Sequence, residues 1–195
     1  MVGLPTVFIR LTGCPLRCQY CDTAYAFSGG KSLTIENILK EVKQYNPRYI
    51  TITGGEPLVQ LESLLLMKQL CDLGYVVSLE TSGALPIALV DSRVIKIVDI
   101  KTPGSKEVHR NHFENIEALL SHDQVKFVIC DRADYDWSKS ILEKYQLLTR
   151  CEVLFSPSHQ QLANPVLADW IVEDRLPVRF QLQMHKYVWG DVPGR

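Results

Sequence analysis

Cys14-Pro-Leu-Arg-Cys18-Gln-Tyr-Cys21, followed at once by Asp22 and Thr23, sets three cysteines four and three residues apart. Three thiolates so close together let one loop wrap a 4Fe-4S cube and hold three of its irons, because cysteine sulfur is the usual cluster ligand. The fourth iron is then left without a protein ligand and open to a small chelating molecule. A structural zinc ion normally takes four closed ligands, often as two Cys/His pairs, and no second Cys-x2-Cys or His-x3-His pair stands nearby. Zinc and ordinary thiols stay as the alternatives. Cys71, Cys130 and Cys151 each sit alone in apolar surroundings, as small buried hydrophobes do.

Upstream of the loop, residues 6–11 are β-branched and bounded by Pro5 and Gly13, a strand that delivers the chain to the cysteines. Arg10 near its end is either one half of a salt bridge or a planar fork for a substrate carboxylate. Downstream, residues 25–30 form a loop ending in two glycines, and Ser32 or Thr34 can cap a helix carrying Ile35, Ile38, Leu39 and Val42, stopped at Asn46-Pro47. Residues 49–53 are a strand running straight into Gly54-Gly-Glu-Pro57. Two glycines let a ligand approach the backbone, and Glu56 offers an acceptor for an amino group. Alone, the same four residues also read as a turn whose proline opens the next helix.

The alternation continues to the end of the chain. A helix over 61–73 stops at Gly74, and strands are expected at 75–80, 94–100, 125–129, 151–155 and 178–183. Helices are expected at 113–120, 135–148 and around Leu167, Trp170, Ile171 and Leu176. Residues 94–100 are almost wholly apolar, as strands buried on both faces of a parallel sheet tend to be. Ser82 follows one strand, where Ser-Gly also makes a simple turn. Asp99 and Lys101 end another, placed to meet a polar ligand or each other. Alternating strands and helices predict an α/β fold with a mostly parallel sheet and right-handed crossovers. At least six strands suit a partial or abbreviated (β/α) barrel, with sites beyond the carboxyl ends of the strands, where Cys14, Gly54, Glu80, Lys101, Ser156 and His185 fall.

At 195 residues and a formal net charge of −1 with acids and bases mixed, the chain suits one domain with a real core and no basic field for general nucleic-acid binding. Small molecules are the expected partners. Six cysteines, three of them clustered, are no disulfide framework and point to a reducing cytoplasm. No signal-peptide pattern opens the chain, and no apolar window reaches the roughly 18 residues of a membrane span.

The cysteine spacing together with Gly54-Gly-Glu-Pro57 resembles the radical S-adenosyl-L-methionine (SAM) enzymes. The resemblance implies a barrel of the radical SAM type, a 4Fe-4S cluster on Cys14, Cys18 and Cys21, and SAM chelating the open iron. It implies reductive cleavage of SAM to a 5'-deoxyadenosyl radical that abstracts hydrogen from substrate. Residues 21–27, Cys-Asp-Thr-Ala-Tyr-Ala-Phe, and the tail 181–195, Gln-Leu-Gln-Met-His-Lys-Tyr-Val-Trp-Gly-Asp-Val-Pro-Gly-Arg, resemble the 7-carboxy-7-deazaguanine synthases. That family converts 6-carboxy-5,6,7,8-tetrahydropterin to 7-carboxy-7-deazaguanine and ammonia on the route to queuosine, with Mg2+ required.

Carried over residue by residue, Thr23 resembles the magnesium ligand, although a loop hydroxyl can also bond its own backbone. Arg10 and Thr53 resemble substrate contacts, and Tyr20, Gly55, Glu56, Ser82 and Lys101 resemble or could join the SAM side. No catalytic residue is singled out, and His185 and Lys186 have no assigned role, His185 being read in a strand-to-tail turn. The resemblance further implies a homodimer and an electron donor such as flavodoxin. The family usually carries E-x-F-x-S-x-Q-G-E-G before its first strand, and this chain begins Met1-Val-Gly-Leu-Pro5. The expectation is therefore a single radical SAM domain, 1–195, lacking that amino-terminal substrate-binding segment. A glycyl-radical-enzyme activase shares the cluster spacing and the glycine motif, and a non-catalytic zinc module is the alternative of another class.

Overall fold

The computed structural model describes residues 3–190 and Val192. Met1, Val2 and residues 191 and 193–195 of the tail lie outside the described residues. Among the described residues seven strands run in parallel and in chain order: β1 (Thr6–Leu11), β2 (Tyr49–Gly54), β3 (Val76–Thr81), β4 (Ile95–Asp99), β5 (Gln124–Ile129), β6 (Glu152–Pro157) and β7 (Arg179–Phe180). The sheet is open, with β1 and β7 at its edges, so the expected partial barrel is what forms. The helices are α1 (Ile35–Gln44), α2 (Glu62–Asp72), α3 (Arg132–Tyr145), α4 (Leu147–Arg150), α5 (Asn164–Glu173) and α6 (Met184–Trp189).

Strand alternation decides which side becomes core and which becomes site. Val7, Ile9 and Leu11, Ile50 and Ile52, and Val77 and Leu79 pack with residues of α1 and α2 in one apolar cluster. Val125, Phe127, Ile129, Val153 and Phe155 pack with residues of α3 and α5 in a second. Because successive side chains point to opposite faces, Arg10, Thr51, Thr53, Ser78, Glu80 and Asp99 are left on the other face. There Thr51 and Ser78 share a buried hydroxyl bond of 2.8 Å. Register then sets Arg10 beside Thr53 and Leu11 beside Gly54.

The structure corrects several local expectations. Residues 113–120 are not an α-helix; Phe113–Ala118 is 3-10. The buried Asn115 side chain accepts from Ile87 N–H at 3.0 Å and donates to the Gly83 and Leu85 carbonyls, so this segment serves the helix-free crossover between β3 and β4. The helix expected at 135–148 begins at Arg132, because Asp131 caps it by accepting from Asp134 N–H. It breaks at Gln146, whose φ is +50°. The last strand keeps only Arg179–Phe180, and His185 lies in helix α6 rather than in a turn.

Candidate active site

Beyond β1 the chain turns at Gly13, whose N–H donates to Ala26 O at 2.9 Å and closes the cysteine loop at its base. The Gly54-Gly-Glu-Pro57 turn docks against this bend. Gly55 N–H donates to Leu11 O at 2.9 Å, and Glu56 N–H to Gly13 O at 2.7 Å. A Cβ on Gly54 would overlap the Leu11 carbonyl oxygen, and one on Gly55 the Gly13 carbonyl oxygen. The glycines thus permit a close approach between two backbones.

The loop is latched on its other side to the segment after β4. Gln19 N–H donates to Ser105 O at 3.1 Å, and Arg17 N–H to a Glu107 carboxylate oxygen at 2.6 Å. The Arg17 guanidinium donates to Cys14 O at 2.8 Å and Leu16 O at 2.6 Å while lying 4.3 Å from the Phe27 ring centroid. Cys14, Cys18 and Cys21 are free, half-buried thiols. Burial pushes the Cys18 thiol up to about 11 against the pull of Lys101, and burial also raises Cys21. Among the described residues no three His, Cys, Asp or Glu side chains form a group suited to one metal ion. Thiolates that each bind a different iron of a cube need not converge on one point. Three sulfur donors on one anchored loop fit an iron-sulfur cluster.

Glu56 is fully buried. Its carboxylate accepts from Leu58 N–H at 3.1 Å, Thr81 Oγ1 at 2.9 and 3.0 Å, Ser82 N–H at 2.7 Å and Ser82 Oγ at 2.6 Å. The chain's own donors therefore surround the acceptor expected to meet an amino group, and it ties the end of β2 to the end of β3.

Lys101 is buried, with Nζ 3.0 Å from Asp99 Oδ2 and 6.0 Å from the Tyr20 ring centroid. Burial works against its charge, but Asp99, Tyr20 and Cys18 outweigh that and hold it above the ordinary ammonium range. Burial likewise raises Tyr20 above the ordinary phenol range. Tyr20 Oη and Asp99 Oδ1 are buried without a hydrogen-bond partner. Native structures rarely leave buried polar atoms orphaned without a ligand, water or catalytic reason, so this corner next to Cys18 fits a polar cofactor such as SAM.

On the third side, Thr53 Oγ1 donates to Glu80 at 3.2 Å, and the Arg10 guanidinium lies 5.7 Å from the Tyr25 ring centroid. Burial lowers the His185 pKa and Asp22, whose Oδ2 lies 3.6 Å from His185 Nε2, opposes that, so α6 stands beside the end of the cysteine loop. A cleft of about 380 Å³ opens between residues 19–22, the 159–161 turn after β6, and Gln183 and Lys186 of the tail. Asp22 lines this cleft, and the Thr23 hydroxyl that donates to it at 2.7 Å keeps oxygen lone pairs that fit a hard cation such as Mg2+. Asp22, Gln183 and the 159–161 turn were not singled out in the sequence, although Asp22 stood in plain view between Cys21 and Thr23.

A family model described as the Radical SAM superfamily matches residues 8–144. A 7-carboxy-7-deazaguanine synthase of Chlorobaculum tepidum is 43% identical across 96% of this chain and 87% of its own length. One of Koribacter versatilis is 42% identical across 96% and 89%. The crystal structure of QueE from Escherichia coli superposes with a TM-score of 0.75 over 93% of this chain and 86% of that one; at 20% identity this is a likeness of fold.

Proposed function

Because this chain belongs to the radical SAM superfamily, and within it to the 7-carboxy-7-deazaguanine synthases, we propose the following assignment of its residues. The chain is a radical SAM enzyme of 7-deazapurine biosynthesis that turns 6-carboxy-5,6,7,8-tetrahydropterin into 7-carboxy-7-deazaguanine and ammonia. Cys14, Cys18 and Cys21 hold the 4Fe-4S cluster. With SAM bound, the cluster supplies one-electron chemistry that removes hydrogen from a substrate carbon. Tyr20 and Asp99 offer their orphaned oxygens to SAM, Lys101 pairs with the other Asp99 oxygen, and the Gly55 backbone and Ser82 border the same corner. Glu56 holds Ser82 in place. Arg10 and Thr53 face the substrate, and Thr23 offers its hydroxyl to Mg2+.

One observation carries this reading: the cysteine loop and the Gly54-Gly-Glu-Pro57 turn are joined backbone to backbone, beside a buried corner with two unpartnered oxygens. The same reading makes residues 1–195 a single radical SAM domain acting as a cytoplasmic homodimer, reduced by a donor such as flavodoxin, with no direct nucleic-acid contact. No helix among the described residues is long and apolar enough to cross a membrane. The experiment is anaerobic reconstitution with iron and sulfide, then incubation with the tetrahydropterin, SAM, Mg2+ and a reductant. Formation of 7-carboxy-7-deazaguanine is expected. A radical found instead on a partner protein would favour an activase, and a colourless protein that retains zinc would favour the binding module.

A further inference from the structure

Thr23 Oγ1 donates its single hydrogen to Asp22 Oδ1 at 2.7 Å. A hydroxyl has one hydrogen and two lone pairs, so this bond leaves the lone pairs facing away from the carboxylate and enriches the oxygen as a donor to a hard cation. The second carboxylate oxygen, Oδ2, accepts from Gln183 Nε2 at 3.1 Å and lies 3.6 Å from His185 Nε2. Gln183 is the residue on which α6 begins, and it stands 161 positions from Asp22 in the chain. Asp22 is thus fixed between the cysteine loop and the tail, and both it and Gln183 line the 380 Å³ cleft.

The geometry points to Asp22 as a positioning residue that aims the Thr23 hydroxyl at a divalent cation, with Gln183 of the tail holding Asp22 in that pose. The inference rests on the reading of Thr23 as the magnesium ligand and adds what orients it. Partners of this kind, one bond behind the ligand, fix its direction and basicity, and their loss typically weakens metal binding about 10- to 100-fold. The tail thereby becomes part of the site, because Gln183 at the start of α6 sets the angle of a side chain that follows the third cysteine.

The test measures Mn2+ binding, by the free-ion electron paramagnetic resonance signal, to reconstituted protein holding SAM and the tetrahydropterin without reductant, so that nothing turns over. Thr23→Ala and Asp22→Asn are each expected to weaken Mn2+ binding about tenfold or more. The double variant is expected to bind no more weakly than Thr23→Ala alone, because Asp22 acts through Thr23. Gln183→Leu is expected to weaken binding in the same direction by a smaller factor, with iron content unchanged, and serves where Asp22→Asn fails to load iron. Unchanged binding in Thr23→Ala would overturn the ligand reading and this inference together. Weakened binding in Thr23→Ala with none in Asp22→Asn, or with none in Gln183→Leu where Asp22→Asn cannot be loaded, would overturn this inference alone. Losses that add in the double variant would make Asp22 a ligand in its own right and overturn it too.

Discussion

Glu56 and Ser82 are joined twice: one carboxylate oxygen accepts the Ser82 amide at 2.7 Å and its hydroxyl at 2.6 Å. The acid of the glycine-rich turn therefore acts first on its own chain, holding the loop after β3 against the end of β2. Glu56→Ala would leave the buried Thr81 hydroxyl and the half-buried Ser82 amide and hydroxyl without this acceptor, a loss of at least about 3 kcal/mol at 1–3 kcal/mol per orphaned group. The expected outcome is a lower urea midpoint and weaker SAM binding, with Ser82→Ala sharing much of the second effect. If Glu56→Ala lost SAM affinity without loss of stability, Glu56 would be a direct ligand instead.

Gly55→Ala is expected to lower the iron content of reconstituted protein, although residue 55 touches no iron. Its new Cβ would collide with the Gly13 carbonyl oxygen and come within 3.1 Å of Cys14 Cβ, so the cysteine loop must shift. Iron and sulfide assays on the purified variant check this. Full iron loading would mean that the two backbones can separate without moving Cys14.

Cys14→Ala, Cys18→Ala and Cys21→Ala are each expected to abolish cluster assembly and turnover, whereas Cys71→Ala leaves both nearly intact. The first three share one anchored loop, and Cys71 belongs to α2 under the first apolar cluster. The brown charge-transfer absorption after reconstitution reports the outcome. Loss of colour in Cys71→Ala alone would reverse the assignment.

Much of this architecture was readable because each strand announced itself by β-branched residues and ended at a recognisable turn. The polar face was not, because β2 and β3 alternate only weakly: Thr51, Thr53 and Ser78 are small enough to pass as ordinary strand residues. The 3-10 nature of Phe113–Ala118 depends on Asn115 reaching backbone groups some thirty residues earlier, which no local pattern encodes. The same holds for the tie from Asp22 to Gln183. Pairing of Asp99 with Lys101 and a polar-ligand role for Asp99 proved compatible, since one oxygen of Asp99 pairs and the other stays orphaned.

At the opposite end of the sheet, Lys96 Nζ and Asp123 Oδ2 pair at 2.8 Å with both side chains buried, and Asp123 Oδ1 accepts from Lys96 N–H. Asp123→Ala would leave the ammonium buried and uncompensated, and breaking such a pair typically costs about 3–5 kcal/mol. Urea unfolding should show that loss. Replacing both residues together, as Lys96→Met with Asp123→Leu, should cost less than Asp123→Ala alone. A larger loss in the double variant would show that the fit of the two apolar replacements matters more than the unpaired charge.

Arg17 offers the most direct handle on the electron-transfer properties of the loop. Its guanidinium is pinned by the Cys14 and Leu16 carbonyls and by the Phe27 face, so its charge sits at a fixed place between the first two cysteines. Adding an electron to a cluster on this loop makes it more negative, and a nearby cation favours the reduced form through Coulomb attraction. Net charge and solvent exposure are among the factors that set cluster potentials. Arg17→Gln removes the charge while keeping some donors, and the cluster midpoint potential is expected to fall by a few tens of millivolts, on the order of a factor of a few in the reduction constant. Arg17→Lys keeps the charge but not the fork, and should hold the potential near that of the parent while loosening the loop. Spectroelectrochemical titration of the three proteins separates the two contributions. A potential that falls equally in both variants would show that Arg17 acts by shaping the loop, and one that falls in neither would show that solvent screens its charge from the cluster.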